Sequence, residues 1–218
     1  LYDKAGARPS LDLDFAGTSS LRDKITGEYL VDHTRQSTGT YIDSEGLIKE
    51  APKNMLLYSE NPLGQWNRGG ATTVTENFAE APDGSQTAHR IQMAANVGNT
   101  YFRKTSVPIE NGKTYTFSVW MKKLSHPNIQ INVSGHINAN QTTQTLTDEW
   151  VRYQYTFTAS TSTSSMVGFD NGPNHVDALF WHPQFEEGSV ATDYIKTNNT
   201  ENSAPRFTHE RVETGNLL

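Results

Sequence analysis

Apolar and polar residues alternate with period 2 along much of this chain. Tyr115, Phe117, Val119 and Met121 interleave with Thr114, Thr116, Ser118 and Trp120, directly after an Asn111-Gly112 pair. Ile129, Ile131 and Val133 interleave with Gln130, Asn132 and Ser134; Val151, Tyr153, Tyr155 and Phe157 interleave with Arg152, Gln154, Thr156 and Thr158. Successive side chains of a strand point to opposite faces, so each segment predicts a strand with one buried and one solvated side. The run 180–187 alternates in the same way and stops at Gly188, which predicts a closing half-buried strand and a turn. No segment of helical period is long enough for a crossover between parallel strands. The expected fold is all-β: an antiparallel β-sandwich of jelly-roll type with extended N- and C-terminal arms.

The alternation also predicts what each face carries. With Tyr115, Phe117, Ile131, Val133, Tyr153 and Tyr155 toward the core, Trp120, Gln130, Asn132, Arg152 and Gln154 share the opposite surface. With Trp181 and Phe185 turned inward, His182 and Gln184 join them. An aromatic ring stacks on the C–H face of a pyranose, while amide and guanidinium groups serve adjacent hydroxyls. Trp120, Arg152, Gln154, His182 and Gln184 are therefore candidate saccharide contacts; the other reading is a solvated outer face with Trp120 covered by an arm. Trp66 is either an edge platform or a side chain packed under the first loop, and Trp150 enters its strand as a structural residue.

The ends read differently. Residues 1–51 hold few periodic apolar segments and many Gly, Ser, Thr and Asp, and form an expected extended arm. Residues 198–218 open on a polar linker and offer Phe207, Val212, Leu217 and Leu218 as anchors. Such segments bury too little apolar surface to order alone, so they are expected to order by packing on neighbouring subunits. The module between them is expected at 52–197.

Composition removes several functions. Hydrophobic residues make up 34% of the 218, which suits a thin sandwich with polar outer faces. There is no cysteine, so disulfides, thiolate nucleophiles and zinc–thiolate sites are excluded. The net charge is -6 and the largest basic cluster is Lys122 with Lys123, which argues against nucleic acid as a partner. No apolar run approaches the ~20 residues of a membrane helix, and Leu1 begins no charged-then-apolar stretch, so neither a membrane span nor a signal sequence is expected in these residues. His33, His89, His126, His136, His175, His182 and His209 show no metal-binding spacing, and the adjacent Glu186 and Glu187 point to opposite faces of one strand. Motifs of nucleophilic hydrolases, phosphate-binding loops and metalloproteases are missing, so an enzyme is not expected.

Two blocks of sequence carry a family resemblance. WHPQFEEGSVATDYI, residues 181–195, resembles the pattern W-x-x-Q-(L/F)-E-x-G-x-x-(A/P)-T-x-Y-I. That pattern closes a jelly-roll module of the carbohydrate-binding, galactose-binding-like type in phage virion proteins. Asn54-Met55-Leu56-Leu57-Tyr58-Ser59-Glu60, with Trp66 following, is similar to the module's opening strand. Residues 10–15 (SLDLDF) and 34–48 resemble the leader of phage tail and fibre proteins. Residues 204–215 resemble a PRF-x-H-x-x-x-T-G segment that usually lies between leader and module, but here follows the module.

The resemblance implies a virion fibre or surface-decoration subunit whose module binds host-surface polysaccharide. It also implies other virion subunits as partners through the arms, and a homo-oligomer. A purely structural capsid or tail decoration protein, or a fragment of a polysaccharide-degrading tailspike, remain alternative readings. Modules of this kind often hold a structural Ca²⁺ between first and last strands, for which Glu60 and Asp177 are the nearest acids.

Overall fold

The computed structural model describes residues 23, 25, 31, 33, 35, 39–42, 45–98, 100–134, 140–170 and 175–204. Residues 10–15, 34, 36–38, 43–44 and 205–218 of the expected leader and C-terminal arm lie outside these. The chain divides into two units, Pro52–Asn202 and one that joins Leu1–Ala51 with Ser203–Leu218. In the smaller unit, β1 (Thr40–Ile42) pairs antiparallel with β2 (Ile48–Glu50), and Ile42 faces Ile48 across the pair. Gly46 turns the connection with φ 80°, a left-handed conformation that favours glycine.

The larger unit is an antiparallel sandwich; the described residues contain no helix. Its strands are β3 (Lys53–Asn54), β4 (Asn67–Gly69), β5 (Thr72–Ala79), β6 (Ala88–Met93), β7 (Tyr101–Ile109), β8 (Thr114–His126), β9 (Asn128–Ser134), β10 (Asn140–Thr145), β11 (Val151–Thr158), β12 (Thr163–Asp170) and β13 (Val176–Glu187). A short β14 (Asn202–Ser203) falls where the two units divide in sequence. Sheet I has the order β11-β8-β13-β6-β5 and sheet II the order β10-β9-β12-β7-β4. The chain passes repeatedly between the sheets, as in a jelly roll.

One-sided burial explains the strands. Tyr115, Phe117, Val119 and Met121 of β8 are buried in the main core, as are Ile129, Ile131 and Val133 of β9. Val167 and Phe169 of β12, Phe102 of β7, and Phe180 and Phe185 of β13 complete the layer between the sheets. Each large apolar side chain taken fully out of water contributes about 1.5–3 kcal/mol before chain entropy is counted. Trp66 belongs to this core: it is buried, tilts against Phe102 at 5.3 Å, and donates its indole N–H to the Leu57 carbonyl at 2.9 Å. Of the two sequence readings of Trp66, burial under the loop is the one the structure takes.

Two expectations meet a difference. β8 and β11 are in sheet I, whereas β9 is in sheet II, so Trp120, Arg152 and Gln154 lie on the opposite side of the sandwich from Gln130 and Asn132. Alternation gives in and out along one strand but not the sheet it joins. The second difference is in β13. Trp181 pairs with Trp120 and Gln184 with Ser118, so β13 carries one extra residue against β8. That bulge reverses the face pattern: Phe185 is in the core while Trp181 faces outward. His182 sits in the bulge with φ 52°, and Pro183 has no N–H to pair.

Candidate functional site

Part of the outward face of sheet I, on β8 and the end of β13, is covered by its own chain. Thr116, Ser118, Gln184 and Glu186 face outward, yet none is more than 1% exposed. Residues 188–197 lie over them. The Thr116 hydroxyl donates to the Gly188 carbonyl at 2.8 Å, and the Thr192 N–H donates to Glu186 Oε1 at 2.9 Å. Gln184 donates Nε2–H to Glu186 Oε1 at 2.7 Å, and its Oε1 accepts the Ile195 N–H at 2.7 Å. The opening block locks the same region. Asn54 donates to the carbonyls of Ile195 (2.9 Å) and Pro183 (3.3 Å) and accepts from the N–H groups of Leu56 (3.0 Å) and Phe185 (3.1 Å). Ser59 bonds Tyr194 Oη at 2.6 Å and accepts the Thr197 N–H at 3.0 Å; burial holds the Tyr194 phenol well above its usual pKa. The motif residues at the two ends of the module thus bond one another.

The candidate saccharide contacts are distributed unevenly on that face. Gln184 is fully buried and its amide is used inside the protein. His182 is stacked between Trp181 and Tyr194, with ring centroids 3.3 and 3.6 Å away. Trp120 is half-buried and packs with Trp150 against Trp181, whose indole N–H donates to Thr87 Oγ1 at 2.9 Å. Arg152 donates to Ser118 Oγ at 3.0 Å, and the exposed Gln154 accepts the Ala191 N–H at 3.4 Å. Trp120, Arg152 and Gln154 are therefore neighbours; His182 and Gln184 belong to the locked layer.

Glu60 and Asp177 do not form one oxygen cage. Lys196 lies 2.9 Å from Glu60, and Arg90 grips Asp177 at 2.8 and 2.9 Å. Each carboxylate has a protein cation, and among the described residues no group of three or more His, Cys, Asp or Glu is placed to hold a metal. A Ca²⁺ needs six or more oxygens, so these two acids do not fit it.

The outward face of sheet II is built differently. Register places Tyr101, Asp170, Gln130 and Thr143 in one row across β7, β12, β9 and β10. The adjacent row contains Asn67, Arg103, Gly168 and Asn132. A side chain at Gly168 would collide with the Phe102 carbonyl oxygen and Arg103 Cα, so the backbone of β7 fills that place and only glycine fits there. Beside Gly168, Arg103 Nε donates to Asp170 Oδ1 at 2.8 Å, and its Nη2 contacts both carboxylate oxygens. Asn132 Nδ2 donates to Asp170 Oδ2 at 2.7 Å. The Arg103 guanidinium also lies over the Tyr101 ring, 4.7 Å from its centroid.

One atom in this network is not satisfied. Asn132 is 2% exposed, and its Oδ1 is buried without a hydrogen-bond partner. Leaving such an acceptor unpaired costs about 1–3 kcal/mol, so buried polar atoms are nearly always paired. The alternation identified Asn132 and Gln130, but Tyr101, Arg103 and Asp170 were missed. Their signal was available: Tyr101-Phe102-Arg103 and Gly168-Phe169-Asp170 alternate in the same way.

Residues 58–170 match the family model described as "Carbohydrate binding domain". Among solved structures, the CBM22-1 xylan-binding domain of Paenibacillus barcinonensis Xyn10C is 13% identical, with 64% of this chain and 94% of that chain covered and a TM-score of 0.45. The CBM22-1–GH10 modules of Clostridium thermocellum xylanase 10B, complexed with xylohexaose, are 13% identical over 64% of this chain and 28% of that chain, with a TM-score of 0.43. The enzymatically active domain of Bacteriophage CBA120 tailspike protein 4 is 14% identical over 62% of this chain and 21% of that chain, with a TM-score of 0.47. No curated protein matches. By the family model, which spans more than half of its length, the chain belongs to the carbohydrate binding domain family.

Proposed function

We propose that the larger unit binds a saccharide, without catalysis, on the outward face of sheet II. The observation that carries the site is the buried, unpartnered Oδ1 of Asn132 beside Arg103 and Asp170. When a side chain over it shifts to admit the ligand, a sugar hydroxyl donates to that oxygen and removes its desolvation cost. Asp170, with both oxygens engaged by Arg103 and Asn132, is held as a rigid acceptor for a second hydroxyl. Tyr101 supplies an aromatic edge or face for pyranose C–H groups.

The role proposed for the whole chain is a phage virion fibre or surface-decoration subunit that binds host-surface polysaccharide. It is supported by the resemblance of residues 54–66 and 181–195 to virion modules. Weak sites multiplied over many copies then give avidity, because later contacts become intramolecular. Affinity electrophoresis of the full chain in gels of bacterial surface polysaccharides and of xylan tests the site. Retardation that is lost in Asn132→Ala and Tyr101→Ala and kept in Trp120→Ala supports it. Retardation that only Trp120→Ala removes places the site on sheet I, and release of reducing ends by the wild type refutes the non-catalytic reading.

A further inference from the structure

A second constellation lies at the end of sheet I away from the locked layer. Thr73 of β5 is opposite Gln92 of β6, Gln92 is opposite Asp177 of β13, and Asp177 is opposite His126 of β8. Four strands thus set Thr73, Gln92, Asp177 and His126 in one cross-strand row, and His175 joins them from the residue before β13. They line a depression of ≈ 310 Å³ whose remaining wall includes Ala71, Met93 and Ala94. Small-ligand pockets start at about 300 Å³ and combine apolar walls with a few convergent polar groups.

Hydrogen bonding fixes how the two imidazoles present themselves. Arg90 grips both oxygens of Asp177 and holds its carboxyl below the usual pKa, so Asp177 is an ionised acceptor. The guanidinium itself lies over the Phe78 ring at 5.0 Å. Ser125 Oγ donates to Asp177 Oδ2 at 2.9 Å. A hydroxyl has one proton, so at its 2.9 Å contact with His126 Nδ1 the serine oxygen accepts, and Nδ1 carries the hydrogen. Neutral His126 therefore offers a lone pair at Nε2. His175 has the opposite tautomer, because its Nδ1 accepts the Ala95 N–H at 3.3 Å and its proton is on Nε2. The two rings have centroids 5.3 Å apart.

We infer that this depression is a second saccharide site, in which one sugar residue places a vicinal diol between the Nε2 atoms of His126 and His175. One hydroxyl donates to His126 Nε2 and its neighbour accepts from His175 Nε2–H. When one hydroxyl of a vicinal diol donates to its neighbour, the pair keeps one accepting and one donating end, so a donor and an acceptor side by side suit it better than two equal groups would. Gln92 and Thr73 serve the remaining hydroxyls along the row, and Ala71, Met93 and Ala94 face C–H groups. The site is on the other sheet from Asn132, so the two stand or fall separately.

Long-range ¹H–¹⁵N spectra of the neutral imidazoles of the full chain provide the test, with methyl β-galactopyranoside, methyl β-xylopyranoside, ethylene glycol and 1,3-propanediol as probes. The expected result is a proton on Nδ1 of His126 and on Nε2 of His175, with saturable shifts of both rings by at least one glycoside. His126→Ala should then weaken the His175 response at least tenfold, whereas Asn132→Ala should leave it unchanged. Like tautomers on the two rings overturn the inference. So does the lack of a saturable shift up to about 100 mM glycoside, where even a ~10 mM site is mostly filled. An equal response to ethylene glycol, or to 1,3-propanediol, overturns the assignment to saccharide.

Discussion

The two outward faces of this sandwich share a polar composition and differ in what their polar groups are doing. On sheet I, Thr116, Gln184 and Glu186 are buried beneath residues 188–197 and bond to them. On sheet II, Arg103, Asp170 and Asn132 bond one another and leave one buried oxygen unpaired. A satisfied buried network holds a fold, while an unsatisfied one is a place where a ligand gains what the fold forgoes. On the proposed reading, the accounting of donors and acceptors, more than the presence of amides and arginine near a tryptophan, marks the saccharide face.

The largest expected effect breaks the locked face at its centre. Asn54→Ala strands two carbonyls and two N–H groups that the wild-type side chain satisfies, and should cost roughly 3 kcal/mol or more of unfolding free energy, measured by urea titration. Gln184→Ala should follow with about 2–3 kcal/mol, since the Ile195 N–H loses its acceptor and Glu186 one of its donors. Limited proteolysis should then cut first within residues 188–197. A Gln184→Ala protein that stays as stable as wild type would show that this layer is not held by the amide.

The opposite face should respond in the opposite sense. Asn132→Ala removes the unpaired oxygen together with one bond to Asp170, so its stability should change by less than about 1 kcal/mol. Its saccharide affinity should fall about tenfold, equivalent to 1.4 kcal/mol. Equal losses in stability and binding would assign Asn132 to the fold alone.

The smallest effect is a pH slope. His89 is buried beside Phe180; its Nδ1 accepts the Asn77 N–H at 3.3 Å, so Nε2–H donates to the Glu60 carbonyl at 3.0 Å. Burial holds its pKa below the usual value, against weaker opposing effects of Glu76 and the Glu60 carbonyl. The unfolded chain therefore takes up the proton first. The stabilising contribution is complete above the ordinary histidine pKa of about 6.5 and is lost as pH falls through that value toward the lower folded one. Urea midpoints at pH 7.5 and pH 5.5 should differ more in the wild type than in His89→Gln.

Much of the sandwich was legible because its strands are buried on one side. Tyr115, Phe117, Ile131 and Val133 announce their inward face by alternation alone. The partition of strands between sheets was not legible, because a strand's period does not reveal its partner. For that reason Asn132 and Trp120, expected together, are on opposite sides. The reversal in β13 had a signal in Pro183, which cannot donate to a ladder and marks a bulge more often than a regular position. The roles of Asn54 and Gln184 depend on partners across the module, as in the bond from Asn54 to Ile195, 141 residues away. No local pattern encodes such a pairing.

Backbone amide shift mapping with the tightest-binding polysaccharide fragment tests the central claim most directly. The account predicts that perturbed amides cluster on β7, β9 and β12 around Arg103, Asn132 and Asp170, with residues 188–195 unmoved. A cluster on β8 and β11 around Trp120 and Arg152, with β9 and β12 silent, would contradict it.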